Sequence, residues 1–361
     1  MISKRNFGLD LVRAFAISLV LFNHIFSNIF KIDMGIWWFL AYLGVDIFFA
    51  LSGFLIGTIL IRICESNNGT LPITQTKLFL IRRWLRTVPL YIIMLLINFI
   101  FSKYVFKSID VFNWKYLFWL QSFDTPSPNF FGESWTLCIE EWFYFSFSIG
   151  LCLFTLLIQK WKISLKYKIL IFTLAYILFF TFLRIQFSNF SLHEFTITIF
   201  RLDSVAYGVL ISLLHNLFKF RIRKYWLAIL GAGTSLLGIL LFLSHEKVGN
   251  FYILYYNFTG IGLALCVLFL KLCNDWSKPL FNAKAVKLIS RISYSLYLVN
   301  LIVIYAFISF FTAYINNFLL ALLILFFTIL FSYFTYNCIE KPFLILRDKY
   351  YQSGNRFKKL I

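Results

Sequence analysis

Between Phe318 and Phe331 the chain reads FLLALLILFFTILF, an uncharged apolar run that sets the class of the whole protein. A spanning helix needs about 20 apolar residues, and the stretch 317–337 supplies them. Runs of the same kind recur back to the N-terminus. Of 361 residues, 61% are hydrophobic and only 14% charged, and the mean hydropathy is +0.81. A soluble globular domain carries roughly 45–50% apolar and about 25% charged residues, so that class is excluded. The expected fold is an all-α polytopic membrane protein, one domain without internal repeat. Its ten spans are expected at about 9–29, 36–61, 84–102, 134–158, 167–187, 197–216, 225–243, 251–271, 288–311 and 317–337.

The first span follows Lys4 and Arg5 and would pass for a signal peptide, but Asp10, Arg13 and His24 inside it do not fit one. A formal charge of +19 would suggest nucleic acid in a soluble chain. Here the basic residues sort onto alternate loops instead. The tails and the loops after spans two, four, six and eight hold 26 Lys and Arg, and the other loops hold 6. Cytoplasmic loops carry that excess, so both termini are expected in the cytoplasm. The aromatic content of 21% belongs to lipid-facing helices and interfacial belts, and no nucleic-acid partner is expected. The six cysteines show neither metal nor disulfide spacing and read as small packing residues. The loop from Ser102 to Glu133 is the one long outer loop; it carries Trp114 and Trp119, and its stretch Phe112 to Leu120 suits the outer interface.

Ionisable groups inside spans are costly to bury and mark candidate sites. Arg13 and His24 are eleven residues apart, about three turns, which puts them on one face of the first helix some 16 Å apart along its axis. Asp10 stands three residues before Arg13, a spacing that lets a carboxylate hold a guanidinium. The stripe Asp10, Arg13, His24 is either a site or a polar seam clamping the helix to its neighbours. The histidine favours a site, because an imidazole exchanges protons near neutrality. His193, His215 and His245 fall at span ends or in loops.

Asp46 in the second span is either a functional carboxylate or an interfacial cap. Gly53 and Gly57 make a GxxxG spacing that permits close helix approach. Arg82, Arg83 and Arg86 at the start of the third span exceed what topology requires; they suit a phosphate-bearing ligand, or anionic lipid head groups. Glu140 and Glu141 in the fourth span point about 100° apart, so at most one faces a shared cavity squarely. Arg201 and Asp203 would pair with each other or with Glu140.

Taken in order, these residues resemble the membrane-bound acyltransferase-3 family, whose members acylate sugars of surface polysaccharides and some small molecules. The resemblance covers nearly the whole chain. The arginine, ten residues, histidine motif is Arg13 to His24; FFxxSG is Phe48, Phe49, Ser52, Gly53; RxxR is Arg83 and Arg86. The SWxLxxE…FY segment is Ser134, Trp135, Leu137, Glu140, Phe143, Tyr144, with Thr136 where serine is usual. SYSLYL is Ser293 to Leu298, with Tyr297 inside it, and the late KP pair is Lys341 and Pro342. Where the family often has a histidine two residues after SYSLYL, this chain has Asn300, which cannot titrate.

The resemblance implies transfer of an acyl group, most often acetyl, from acetyl-coenzyme A in the cytoplasm to a sugar hydroxyl on the outer side of a bacterial inner membrane. Lipopolysaccharide O-antigen is one such acceptor. On this reading His24 is the base and Glu140 or Asp46 orients it. Arg13, Arg83, Arg86 and Arg82 hold the donor, and Asp10, Ser52, Gly53, Trp135, Arg201, Asp203, Tyr297 and Asn300 position the parts. No metal is expected. The expected partners are membrane lipid, the acyl donor and a sugar or lipid-linked glycan, with the oligomeric state left open. About 24 residues follow the last span, so acceptor handling is expected in the membrane domain or by a partner. A transporter or flippase of lipid-linked glycan is the rival, since intramembrane charges also mark transport paths.

Overall fold

The side chain of Asn6 accepts the Leu9 N–H at 3.1 Å and so opens helix α1, Phe7–Phe30, from a capped first turn. The computed structural model describes residues 6–31, 35–105, 112–127, 130–187, 196–218, 223–243, 254–273 and 283–357. After α1 come α2 (Gly35–Glu65), α3 (Ile73–Ile100), α4 (Trp135–Leu157), α5 (Leu165–Phe187), α6 (Leu202–Asn216) and α7 (Lys224–Leu243). Then follow α8 (Tyr255–Leu272), α9 (Ala283–Phe311), α10 (Asn317–Thr335) and α11 (Lys341–Phe357). No strand interrupts the described residues.

Nine helical stretches among the described residues are long and apolar enough to cross a membrane. Ten were expected; the seventh is α7, an apolar helix of 20 residues that is described in full only over Lys224–Leu240. Two boundaries also moved. Helix α3 begins eleven residues before the expected start at 84, with Pro72 at its N-cap, so Arg82, Arg83 and Arg86 project from the side of a formed helix. Beyond the tenth span, a π turn at Tyr336–Glu340 carries the helix on into α11. Phe343, Ile345 and Leu346 are exposed there beside Lys341, Arg347 and Lys349, the make-up of a helix at an interface.

The polarity is inside-out for a soluble protein. Phe179, Phe182, Phe326 and Phe334 are exposed, while Asp10, Asp46, Arg184, Arg201 and Asp203 are buried. That arrangement suits lipid, where charge must face the bundle interior. Arg184, near the end of the fifth expected span, is one of the 6 basic residues set against the 26. It is buried within α5, which makes it one basic residue that does not report topology.

Helix α1 packs against α2 and α9, and α2 packs closely on α6. A Cβ on Gly53 would come within 1.9 Å of the Val205 carbonyl oxygen, and one on Gly208 within 2.2 Å of that of Ala50. The GxxxG face expected on α2 is therefore used, with α6 as its partner. Gly53→Ala should force the two backbones apart at a cost of about 1–3 kcal/mol. A lowered thermal midpoint of the solubilised protein is the expected readout.

Candidate active site

Helices α1 and α3 bring arginines to one cavity. On α1, Asp10 is fully buried, accepts from Ser290 Oγ on α9 at 2.8 Å, and pairs with Arg13 at 3.6 Å. On α3, the Arg83 guanidinium lies over the rings of Phe79 and Tyr144, at 5.6 and 5.5 Å. Arg13, Arg83 and Arg86 line one cavity of about 100 Å³ together with Ser52, Glu140 and Tyr297. Arg82 is half-buried and is not among the lining residues.

The two adjacent carboxylates part as helical geometry requires. Glu140 faces the cavity, where Ser52 Oγ donates to Oε1 at 2.8 Å and Tyr144 OH to Oε2 at 2.8 Å. Glu141 turns toward α3 and accepts from Thr87 Oγ1 at 2.8 Å. Trp135, one turn before Glu140, packs edge-on against Phe49 at 6.3 Å and so ties α4 to α2.

Toward the other end of α1, His24 Nδ1 meets Asn300 Oδ1 on α9 at 2.6 Å. The Asn300 amide nitrogen donates to the carbonyls of Leu296 and Tyr297, at 3.1 and 2.5 Å. With that nitrogen engaged, only the amide oxygen is left for the ring, so Nδ1 carries the proton and Nε2 keeps the free lone pair. In that tautomer Nε2 is the ring nitrogen able to accept a proton. His24 is not on the cavity wall. Tyr297, one turn before Asn300, is, and it meets Phe48 at 6.5 Å with its ring edge-on. Thr136 Oγ1 donates to Tyr297 OH at 2.8 Å, and Tyr297 OH donates to the Glu133 carbonyl at 3.0 Å.

Asp46 stands elsewhere. It is buried in an ion pair with Arg201 and accepts from Tyr255 OH at 3.1 Å. It is neither a surface cap nor among the groups bonded to His24. Arg201 therefore pairs across 155 positions, and not with Asp203 or Glu140. Asp203 takes both arms of the Arg184 guanidinium, at 2.9 and 2.7 Å. The Tyr256 ring lies between the two arginines, 4.6 Å from Arg184 and 4.3 Å from Arg201. Sequence reasoning missed Arg184; the signal available was its place inside an apolar span with an aspartate on the next one. Among the described residues, no group of three or more His, Cys, Asp and Glu side chains is placed to hold a metal ion.

The family model described as an acyltransferase domain, acyltransferase-3, matches residues 6–337. Peptidoglycan O-acetyltransferase OatA of Listeria monocytogenes is 31% identical over 44% of this chain and 26% of its own length. A putative O-acetyltransferase of Staphylococcus aureus is 26% identical over 93% of this chain and 57% of its own. A putative peptidoglycan O-acetyltransferase of Bacillus subtilis is 31% identical over 38% of this chain and 22% of its own. The chain thus spans between about a quarter and somewhat over half of the length of these relatives. No solved structure matches it. A cavity with arginines at one end, bounded by the FFxxSG, RxxR and SWxLxxE segments, agrees with a model that covers all but the two ends of the sequence: the chain belongs to the acyltransferase-3 family.

Proposed function

We propose that the chain is a multi-pass O-acyltransferase of a bacterial cytoplasmic membrane, moving an acetyl group from acetyl-coenzyme A to a sugar hydroxyl of a surface glycan. The observation that carries this reading is the convergence of Arg13, Arg83 and Arg86 on one cavity wall with Glu140. Guanidinium forks suit the phosphates of the coenzyme. The thioester at the far end of its flexible arm would then reach deeper into the cavity. Acyl transfer to an alcohol also needs a base for the hydroxyl proton, and His24 Nε2 supplies one.

Lipopolysaccharide O-antigen is one acceptor of the required kind. The names of the Listeria and Bacillus relatives favour another, the glycan of peptidoglycan. Incubating purified protein with acetyl-coenzyme A and either acceptor should release coenzyme A in step with acetylation. A transporter or flippase of lipid-linked glycan would release none, and that result would overturn the proposal.

The donor assignment makes its own prediction. Arg83→Lys and Arg86→Lys keep the charge but lose the two-pronged contact. Each should raise the KM for acetyl-coenzyme A, and alanine should raise it further. Equal donor affinity in a well-folded double alanine variant would remove both residues from the site. On topology, the asymmetry of Lys and Arg, 26 against 6, or against 5 once the buried Arg184 is set aside, supports cytoplasmic termini and a cytoplasmic arginine end. A Ser127→Cys variant should react with an impermeant thiol reagent without opening of the cytoplasmic membrane. Protection until the membrane is opened would reverse the orientation.

A further inference from the structure

We infer that Ser52 is the covalent carrier of the acyl group, with Glu140 as its base; the inference rests on the acyltransferase reading and adds an intermediate to it. The hydroxyls on the cavity wall differ in what they are bonded to. Thr136 donates to Tyr297, Ser293 to the Ser290 carbonyl and Tyr294 to the Thr87 carbonyl. Thr87 is bound to Glu141, which does not line the cavity. Two wall hydroxyls are bonded to a carboxylate that shares the wall with them, Ser52 and Tyr144, each to Glu140 at 2.8 Å; Tyr144 is the buried one, under the Arg83 guanidinium, which leaves Ser52 as the more accessible nucleophile. A hydroxyl bonded to an adjacent base is the activated form of a serine nucleophile. Ser52 is also half-buried and stands on the cavity wall.

The position fits an intermediate station. Ser52 lies thirteen residues from the end of α2 at Glu65, roughly 20 Å along a helix and near mid-span. The wall it stands on carries the arginines and no histidine. From Ser52, one turn along α2 leads to Phe48, across to Tyr297, and one turn along α9 to Asn300 and His24. The donor end and the imidazole thus lie to either side of the serine.

In the first step Ser52 Oγ attacks the thioester carbonyl and its proton passes to Glu140 Oε1. The carbon–sulfur bond breaks, and the departing sulfur takes that proton from Glu140 to leave as coenzyme A thiol. Arg83, beside Tyr144, supplies positive charge near the developing oxyanion. In the second step the acceptor hydroxyl loses its proton to His24 Nε2 and attacks the Ser52 ester. The carbon–Oγ bond breaks, and the departing Oγ takes the proton back from the imidazolium. Thioester, serine ester and sugar ester follow in order, and every proton is returned.

The test uses the purified full chain with acetyl-coenzyme A labelled in its acetyl group, quenched in acid and mapped by peptide mass spectrometry. Without acceptor, wild type and His24→Ala should both carry an acetyl ester on Ser52 and release one equivalent of coenzyme A. Added acceptor should discharge the wild type and leave His24→Ala loaded. Ser52→Ala, eluting as a single species at wild-type yield, should carry no adduct and lose at least ~100-fold in transfer. Ser52→Cys should restore an adduct that neutral hydroxylamine cleaves. Wild-type transfer by Ser52→Ala, an adduct mapped to Thr87, His24 or another residue, or rapid wild-type turnover with no adduct at any quench time would each overturn the serine carrier while leaving the acyltransferase intact. Failure of the wild type to release coenzyme A with any glycan would overturn the acyltransferase reading as well.

Discussion

Acetyl transfer by His24→Ala is expected to fall by about 10²–10⁴-fold, the usual contribution of a general base, with membrane insertion and protein level unchanged. The substitution leaves α1 more apolar, so nothing in lipid resists it. The cost falls on chemistry alone, because Nε2 is the ring atom left free by the Asn300 contact. Asn300→Ala should give a smaller loss, confined to kcat. Its removal frees the ring to rotate and to exchange tautomers without touching the arginine end of the cavity. His215→Ala, on a half-buried side chain at the end of α6, should keep substantial activity. His193 and His245 lie outside the described residues, and alanine there should likewise be tolerated. Normal glycan acetylation by His24→Ala would end the assignment.

The second large effect is on stability. Asp46→Ala leaves the guanidinium of a fully buried Arg201 without its carboxylate. Breaking such a pair from one side costs about 3–5 kcal/mol, whereas replacing both members with apolar groups of similar volume is close to neutral. Asp46→Ala should therefore lower the thermal midpoint sharply, and Asp46→Leu with Arg201→Met should recover most of it. The pattern separates two roles for Asp46. If it orients the imidazole, the double variant will be stable and inactive. If it holds α2 to α6, activity will return with stability.

The spans were legible because lipid imposes a simple rule on every helix, and the apolar runs around Phe318 and Phe147 obey it. So was the shared face of Arg13 and His24, a matter of helical pitch. The close approach at Gly53 was legible as a spacing, though not its partner. What escaped were pairings between distant segments. Nothing local in the sequence ties Asp46 to Arg201 or His24 to Asn300, which are 155 and 276 positions apart. The choice between Glu140 and Glu141 likewise depended on where α3 sits. Arg184 was misplaced for another reason: a charge near a span's end looks the same whether it snorkels to water or folds inward onto Asp203. The start of α3 was set too late because a cluster of arginines resembles a loop, though arginine is a good helix former.

The bonds from Thr136 to Tyr297 and from Tyr297 to the Glu133 carbonyl join the cavity wall to the turn that begins α4. On the proposed reading an acetyl group crosses from one face of the membrane to the other, which poses a leak problem, since any water-filled path wide enough for it also conducts ions and protons. If the cavity opens onto such a path, the bonds from Thr136 to Tyr297 and from Tyr297 to Glu133 are the contacts that would close it between turnovers. Tyr297→Ala would then do more than slow the chemistry: cells expressing it should show a lowered membrane potential.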